Sequence, residues 1–383
     1  MLPAQGAPAS FELGSAKTID ALSASLRARL ARSRPDWQQP ARALYERLIR
    51  PALGHWAPNT KLLIAPDSAL NLVPFAVFLD DQRQPLLATH VISYVSSGRD
   101  RVRSRPQVNG LGPALVIAAP NYDAFAAGPQ PPNGLLRRVR FSPLPGTLGE
   151  AQGIASVFGS AIVRTGEDAS EAALRGARSP AFLHIATHAF FFAGADETQG
   201  AATRGLFLTG PAEPDLDHPV SEAPPPLPAE PLLRSGLALA GANHGGPSAS
   251  DDGVMTALEL TALELDGTEL VTLSACDTGL GEVRAAEGVF GLRRALVLSG
   301  ARSQLLSLWR VADRPTQELM TAFYRRLAGG EAPSAALRAV QLDGFRRAAH
   351  PYYWAAFVLS GEDQPLTGAV GATTSPSTMI EAQ

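Results

Sequence analysis

Cysteine is almost absent from this chain: there is one in 383 residues, Cys276. A single thiol excludes an internal disulfide and a metal site built from cysteines, and it leaves a reduced thiol as that residue's natural state. Lysine is nearly as scarce, with Lys17 and Lys61 the only two among 33 basic residues. Arginine supplies the rest, a usage that tracks genome composition. The net charge of −3 gives no electrostatic case for nucleic acid or an anionic membrane surface. Long hydrophobic runs are missing too. No stretch nears the roughly 20 apolar residues of a membrane span, and Met1 to Ala16 lacks the basic-then-apolar order of a signal peptide. The expectation is a soluble protein of the cytoplasm.

What is present is enough apolar material, 45% of residues against 18% charged, for a sizeable core in one large domain or one and a half. Ile19 to Ser33 and Pro40 to Leu53 show helical spacing. Lys61 to Ala65 and Val91 to Val95 read as strands on either side of the apolar run Leu72 to Leu79. Residues 1–105 therefore form an amino-terminal helical and β extension. From Ala114 the rhythm changes to short apolar strands alternating with helices. The strands are Ala114 to Ala119, Ala161 to Arg164, Phe182 to Thr187, Glu269 to Ser274, Gln304 to Trp309 and Ala356 to Leu359. The helices are Gly146 to Phe158, Ser170 to Ala177, Ala286 to Ser299, Pro315 to Ala328 and Ala332 to Phe345.

That alternation predicts an α/β core over 106–365, a mostly parallel central sheet flanked by helices and buried on both faces. Two stretches rich in proline, glycine, serine and acid, 211–230 and 241–252, read as mobile loops, and the tail 366–383 reads as disordered.

Substrates of open parallel sheets bind at the carboxyl ends of strands, where adjacent loops splay apart. Two strands end in reactive side chains. Phe182-Leu-His-Ile-Ala-Thr187 runs into His188, and Leu270-Val-Thr-Leu-Ser-Ala275 runs into Cys276 and the Asp277-Thr278-Gly279 turn. If the strands are neighbours, about 4.8 Å apart, the imidazole reaches the thiol. Cys276 is then a nucleophile, with His188 its base and later the acid for the leaving amine. The backbone N–H groups of Cys276 and Ala189 are candidate oxyanion donors. Glu287-Gly288 lies in the first turn of the helix from Ala286, close behind the cysteine turn, and a nearby helix amino terminus favours the thiolate. The plainer alternative for Cys276 is a small buried hydrophobe.

His184 reads as a core histidine buttressing the catalytic ring. No carboxylate or third histidine completes a metal set around it, and neither a metal nor any other cofactor is expected. Asp277 and Asp123, the latter in the turn after the first core strand, offer an acidic pocket for an arginine or lysine before the scissile bond. Each aspartate also has the simpler role of a turn cap. Asp313 reads as the N-cap of the helix near Pro315. Trp309 and Trp354 line a peptide groove or sit in the core. His218 and His244 fall in the loop stretches and read as solvent-exposed.

Five segments in this order resemble the CHAT domain, the "caspase HetF associated with TPRs" branch of the caspase-like cysteine peptidases. They are His184-Ile-Ala-Thr-His188-Ala-Phe-Phe, Leu270 to Gly281, Glu287-Gly-Val-Phe-Gly-Leu, Ser307-Leu-Trp-Arg-Val-Ala-Asp313 and His350-Pro-Tyr-Tyr-Trp354-Ala-Ala-Phe-Val-Leu. The resemblance runs from about Ala43 to Gly361. It implies a caspase-haemoglobinase-like fold, a dyad on His188 and Cys276, and peptide-bond hydrolysis through a thioester. It also implies a protein substrate encoded nearby and an activating partner or regulatory repeat protein, in bacterial signalling or defence. The family usually has glycine where this chain has Ala189, which still carries the N–H. The rival readings are a catalytically idle caspase-like interaction scaffold and a cysteine amidase or acyltransferase.

Overall fold

The computed structural model describes residues 1–3, 6–57, 59–101, 111–125, 139–191, 230–248, 251–274, 285–309 and 311–367. The proline-rich stretch 211–229, Cys276, Asp277 and the tail from 368 lie outside them.

Strands appear where the apolar runs are continuous. They are β1 (Lys61–Ile64), β2 (Val91–Tyr94), β3 (Leu115–Pro120), β4 (Ile162–Gly166) and β5 (Phe182–Ala186), then β6 (Ala189–Phe191), β7 (Ser235–Ala238), β8 (Val254–Thr256), β9 (Leu270–Leu273), β10 (Ser303–Ser307) and β11 (Phe357–Gly361). Helices fill the intervals as α1 (Ala16–Ala31), α2 (Gln38–Leu48), α3 (Leu86–Thr89), α4 (Pro145–Val157), α5 (Glu171–Arg175), α6 (Ala257–Leu260), α7 (Ala285–Leu298), α8 (Asp313–Ala328) and α9 (Pro333–Arg346). Among the described residues, no helix is long and apolar enough to cross a membrane.

Eight strands form the central sheet in the order β1-β2-β11-β10-β9-β5-β3-β4. Every pairing is parallel except β10 with β11. The mostly parallel α/β sheet expected from the sequence is therefore observed, and β1 and β2 of the amino-terminal extension continue it. Alternate residues of each strand serve opposite faces, since strand side chains have a period of two. Phe182 and Ala186 join Ile154 of α4, Phe323 of α8 and Leu337 of α9 in one core cluster, whereas Leu183 and Ile185 join Leu174 of α5, Leu260 of α6 and Leu296 of α7 in the other. All five side chains of β5 are buried, as a sheet covered on both faces requires.

The α4 and α8 helices cross closely because α4 presents glycine at the contact. A Cβ on Gly149 would fall 2.6 Å from Gln317 Nε2. That approach brings the amino termini of both helices to the same end of the sheet.

The strands β6, β7 and β8 form a second, antiparallel sheet that the sequence reading did not anticipate. The loop between β7 and β8 covers most of the stretch read as mobile, and its described part is tightly turned. The N–H groups of His244, Gly245 and Gly246 all converge on the carbonyl of Gly241, and Gly241 N–H donates to Asn121 O at 3.0 Å. Gly241 and Gly246 have φ of +83° and +66°, and a Cβ on Gly241 would lie 2.7 Å from the Cα of Gly246. Glycine here serves close approach and left-handed backbone, not looseness.

Glu171 holds the far end of that loop. It is 1% exposed, and its Oε1 accepts from Gly253 N–H at 2.8 Å and Val254 N–H at 3.2 Å, while Arg175 meets Oε2. Burial pushes its carboxyl up to about 8, opposed by Arg175 and reinforced by the carboxylates of Asp252, Glu259 and Asp251. Burial also raises Asp252. A folded-state pKa above the ordinary 4.5 means that the native chain holds this proton more tightly than the unfolded chain does. The associated stability is full below about 4.5 and is lost as pH rises toward about 8. Glu171→Gln keeps an acceptor for both N–H groups but cannot ionise. Its melting temperature relative to wild type is expected to rise between pH 5 and pH 8.5, and thermal unfolding at the two pH values tests this; a constant difference would contradict it.

Candidate active site

The two strands that end in reactive residues are neighbours. β5 pairs with β9 in parallel, from Phe182 with Leu270 to Ile185 with Leu273, and Ser274 N–H continues the ladder to Ile185 O at 2.9 Å. His188 follows Ile185 by three residues, and Cys276 follows Leu273 by three. The sequence expectation of adjacent strands is met, while Cys276 and Asp277 themselves lie outside the described residues.

His188 is 5% exposed and packs against two aromatic rings that also touch each other, with centroids 5.3 Å from Tyr122 and 5.7 Å from Phe141. Its Nε2 lies 2.8 Å from the carbonyl oxygen of Ser142. A carbonyl only accepts, so Nε2 carries the proton and Nδ1 is the basic nitrogen of the neutral ring. The walls are themselves tied down. Tyr122 OH is 2.9 Å from Thr187 Oγ1, Thr187 Oγ1 donates to Ala238 O, and Ala238 N–H returns to His188 O at 2.9 Å. Burial pushes the Tyr122 phenol up to about 12, so it stays a neutral hydrogen-bonding group at physiological pH. Ala189 opens β6 in extended conformation, where alanine carries no strain in place of glycine.

A small cleft opens beside His188, lined by Thr147, Glu150, Thr187, Ser274 and Asp313 among others. Asp313 is not the cap that the sequence suggested. The helix starts at Asp313 itself, its N-cap is Ala312 without a side-chain bond, and the carboxylate faces the cleft. Thr147, at the start of α4, donates to Leu144 O at 2.7 Å and accepts from Ala119 N–H at 3.0 Å.

Beneath the cleft runs a buried polar chain. Ser274 Oγ donates to Glu150 Oε2 at 3.1 Å, and Glu150 Oε1 lies 3.1 Å from His184 Nε2, at ion-pair distance without hydrogen-bond alignment. His184 Nδ1 is 3.1 Å from Tyr324 OH, which donates to Thr272 Oγ1 at 2.9 Å. Glu150 and Ser274 are at most 9% exposed, and His184, Tyr324 and Thr272 are fully enclosed. Burial drives the Tyr324 phenol far above the ordinary tyrosine range, so it remains a neutral donor. With its proton on Thr272, Tyr324 accepts from His184 Nδ1–H.

Asp123 is partly exposed. Its Oδ1 accepts from Asn243 at 2.9 Å and Arg140 at 3.1 Å and faces His244 Nε2 at 3.4 Å. His244, expected in solvent, is 32% exposed and bound at this cluster. Trp309 is 1% exposed and donates to Tyr352 O at 3.1 Å, and Trp354 donates to Ala349 O at 3.0 Å. Neither tryptophan is among the described residues lining the cleft. The structure thus brings His188 to the end of β9, sets Asp123 behind the Tyr122 wall, and keeps Trp309 in the core.

Sequence reasoning missed Ser142, Asn243, Glu150 and Tyr324. Glu150 was findable, because Thr147, Glu150, Ala151 and Ile154 fall at helical spacing on one buried face. The Ser142 contribution is a main-chain carbonyl, which no residue pattern marks.

The model of the CHAT domain matches residues 38–362. Tetratricopeptide repeat protein 28 of Homo sapiens is 25% identical over 362 residues, covering 89% of this chain and 13% of its own length. The Mus musculus protein of the same name is 26% identical over 369 residues, covering 89% and 14%. This chain therefore spans a small fraction of the curated relatives it matches. Among solved structures, the Saccharomyces cerevisiae separase–securin complex is similar over 79% of this chain and 15% of that one, with a TM-score of 0.41 and 12% identity. The Arg-specific cysteine proteinase gingipain R is similar over 92% and 75%, with a TM-score of 0.41 and 11% identity.

Proposed function

Because the chain belongs to the CHAT domain family, we propose that it is a cysteine endopeptidase that cleaves a partner protein, with Cys276 as nucleophile and His188 as base. The observation that supports this best is the His188 ring, whose Nε2 is committed to the Ser142 carbonyl and whose basic Nδ1 belongs to a strand hydrogen-bonded to the strand leading into Cys276. In the reaction so read, His188 Nδ1 takes the thiol proton and the sulfur attacks the scissile carbonyl. The oxyanion is met by the N–H groups of Cys276 and Ala189. His188 then returns the proton to the leaving amine, and water hydrolyses the thioester. The amino terminus of α7, just beyond Cys276 in sequence, favours the thiolate.

For the residue before the cleaved bond the proposal is arginine or lysine, met by Asp277 or Asp123, with Trp309 as apolar support behind the groove. The carboxylate-bearing Asp313 in the lining of the cleft supports the same preference. The curated relatives are tetratricopeptide repeat proteins by name, which supports a repeat protein as the regulator of this domain, and we place the enzyme in bacterial signalling or defence.

A peptide-based thiol-reactive probe carrying arginine next to its warhead is expected to label Cys276 at neutral pH in the folded protein, read by mass spectrometry. Absence of labelling alongside intact folding and a bound regulator would favour an idle scaffold. Turnover of small amides without any protein cleavage would favour an amidase or acyltransferase.

A further inference from the structure

We infer that Asn243 is a positioning residue for His188, acting through the backbone at Phe141 and Ser142; this rests on the reading of His188 as the base. Asn243 sits in the tight β7–β8 turn and touches two separate segments. Its Oδ1 accepts from Phe141 N–H at 2.8 Å, and its Nδ2 donates to Phe141 O at 3.0 Å. Nδ2 also donates to Asp123 Oδ1 at 2.9 Å, and the Asn243 backbone N–H donates to Tyr122 O at 3.0 Å. The amide orientation follows from its partners, because a flipped amide would set NH₂ against N–H and oxygen against two acceptors.

Gripping both polar groups of one residue's main chain works like one rung of a β-ladder, and it fixes the peptide that follows. The Ser142 carbonyl, the acceptor for His188 Nε2–H, belongs to the next peptide, whose orientation follows because Ser142 precedes Pro143 and its backbone is restricted toward the extended region. Through Phe141 the side chain also holds one aromatic neighbour of the imidazole, while the Asn243 main-chain N–H holds the other at Tyr122 O. Asn243 touches neither His188 nor the cleft lining described above. Its effect is to keep the carbonyl where only the Nε2–H tautomer is satisfied, leaving Nδ1 basic. Aspartate would retain the acceptor for Phe141 N–H but lose both Nδ2 bonds and set a second carboxylate against Asp123. Alanine would lose the entire grip.

The test uses the full chain. Asn243→Ala is expected to lower kcat by about 10–100-fold, the scale of a misplacement of about 1 Å, with KM nearly unchanged. The second readout is independent of activity: ¹⁵N spectra of histidine-labelled protein, with His188 assigned by its loss in His188→Gln. Wild type is expected to show the Nε2–H tautomer at His188, and Asn243→Ala a mixture of tautomers. Pro247→Ala, exposed in the same turn but outside the grip, is expected to leave both readouts unchanged. If Asn243→Ala fails to fold, Asn243→Asp replaces it, with a shift of the tautomer ratio in the same direction. A wild-type tautomer ratio in a folded Asn243 variant overturns the proposal whatever the activity. A chain with no peptidase activity but a shifted tautomer overturns the functional reading and leaves the positioning role standing.

Discussion

Cys276→Ala is expected to abolish cleavage of a co-expressed protein target, lowering kcat by a factor on the order of 10⁴ or more, while the circular dichroism spectrum and melting temperature stay near wild type. Removing the sulfur removes the bond-forming atom, and no positioned hydroxyl or water takes its role in the thioester route. His188→Ala is expected to cost about 10²–10⁴-fold, the range of a positioned general base. The two losses should not add, since base and nucleophile act in one step. Cleavage at the wild-type rate by either variant would remove the dyad from consideration. The His188 variant has an additional consequence, because the buried ring packs against both Tyr122 and Phe141; His188→Gln is therefore the better-folded control.

His184→Ala is expected to destabilise the fold by about 3–5 kcal/mol at neutral pH, read as a lower urea midpoint. The variant leaves the Glu150 carboxylate at 2% exposure with the Ser274 hydroxyl as its remaining described polar partner. It also deprives Tyr324 OH of a partner inside a closed core. Glu150→Gln should cost less, because the amide keeps the volume and an acceptor for Ser274 and leaves a neutral histidine. A double-mutant cycle on the two positions should give a coupling of about 0.5–3 kcal/mol, as for residues in one network. A His184→Ala midpoint within about 0.5 kcal/mol of wild type would mean that the pair contributes nothing to stability. The network ties β5 and β9 to α4 and α8, directly below the residues preceding Cys276, so a loosened variant should also lose kcat.

Several of these residues were legible before any coordinates. Continuous apolar strands alternating with helices specify a buried parallel sheet, because only a sheet covered on both faces leaves no polar side to the strand. The pattern Phe182 to His188 and Leu270 to Cys276 puts two reactive side chains at strand ends, and equal strand lengths put them at equal heights once the strands pair. Burial of His184 on the face opposite Leu183 follows from the two-residue period. The helix near residue 313 was legible in existence but not in its first residue, so Asp313 was misread as a cap when its carboxylate belongs to the cleft wall.

The remainder was decided by tertiary structure. Glycine-rich 241–252 reads as loose chain in one dimension, yet its glycines allow the close crossing of Gly241 and Gly246 that carries Asn243 to Phe141. The proton position on His188 is set by the carbonyl of Ser142, a group every residue type possesses. The partner of His184 comes from α4 and α8, brought together by a glycine contact between helices more than 150 residues apart in sequence. By itself, the sequence determined the strands and helices of the central sheet and which side chains are candidates for the chemistry, since periodicity and residue type are local properties. Which strand lies beside which, and which carbonyl, amide or carboxylate orients the histidines, was determined only when distant main-chain groups were packed into contact.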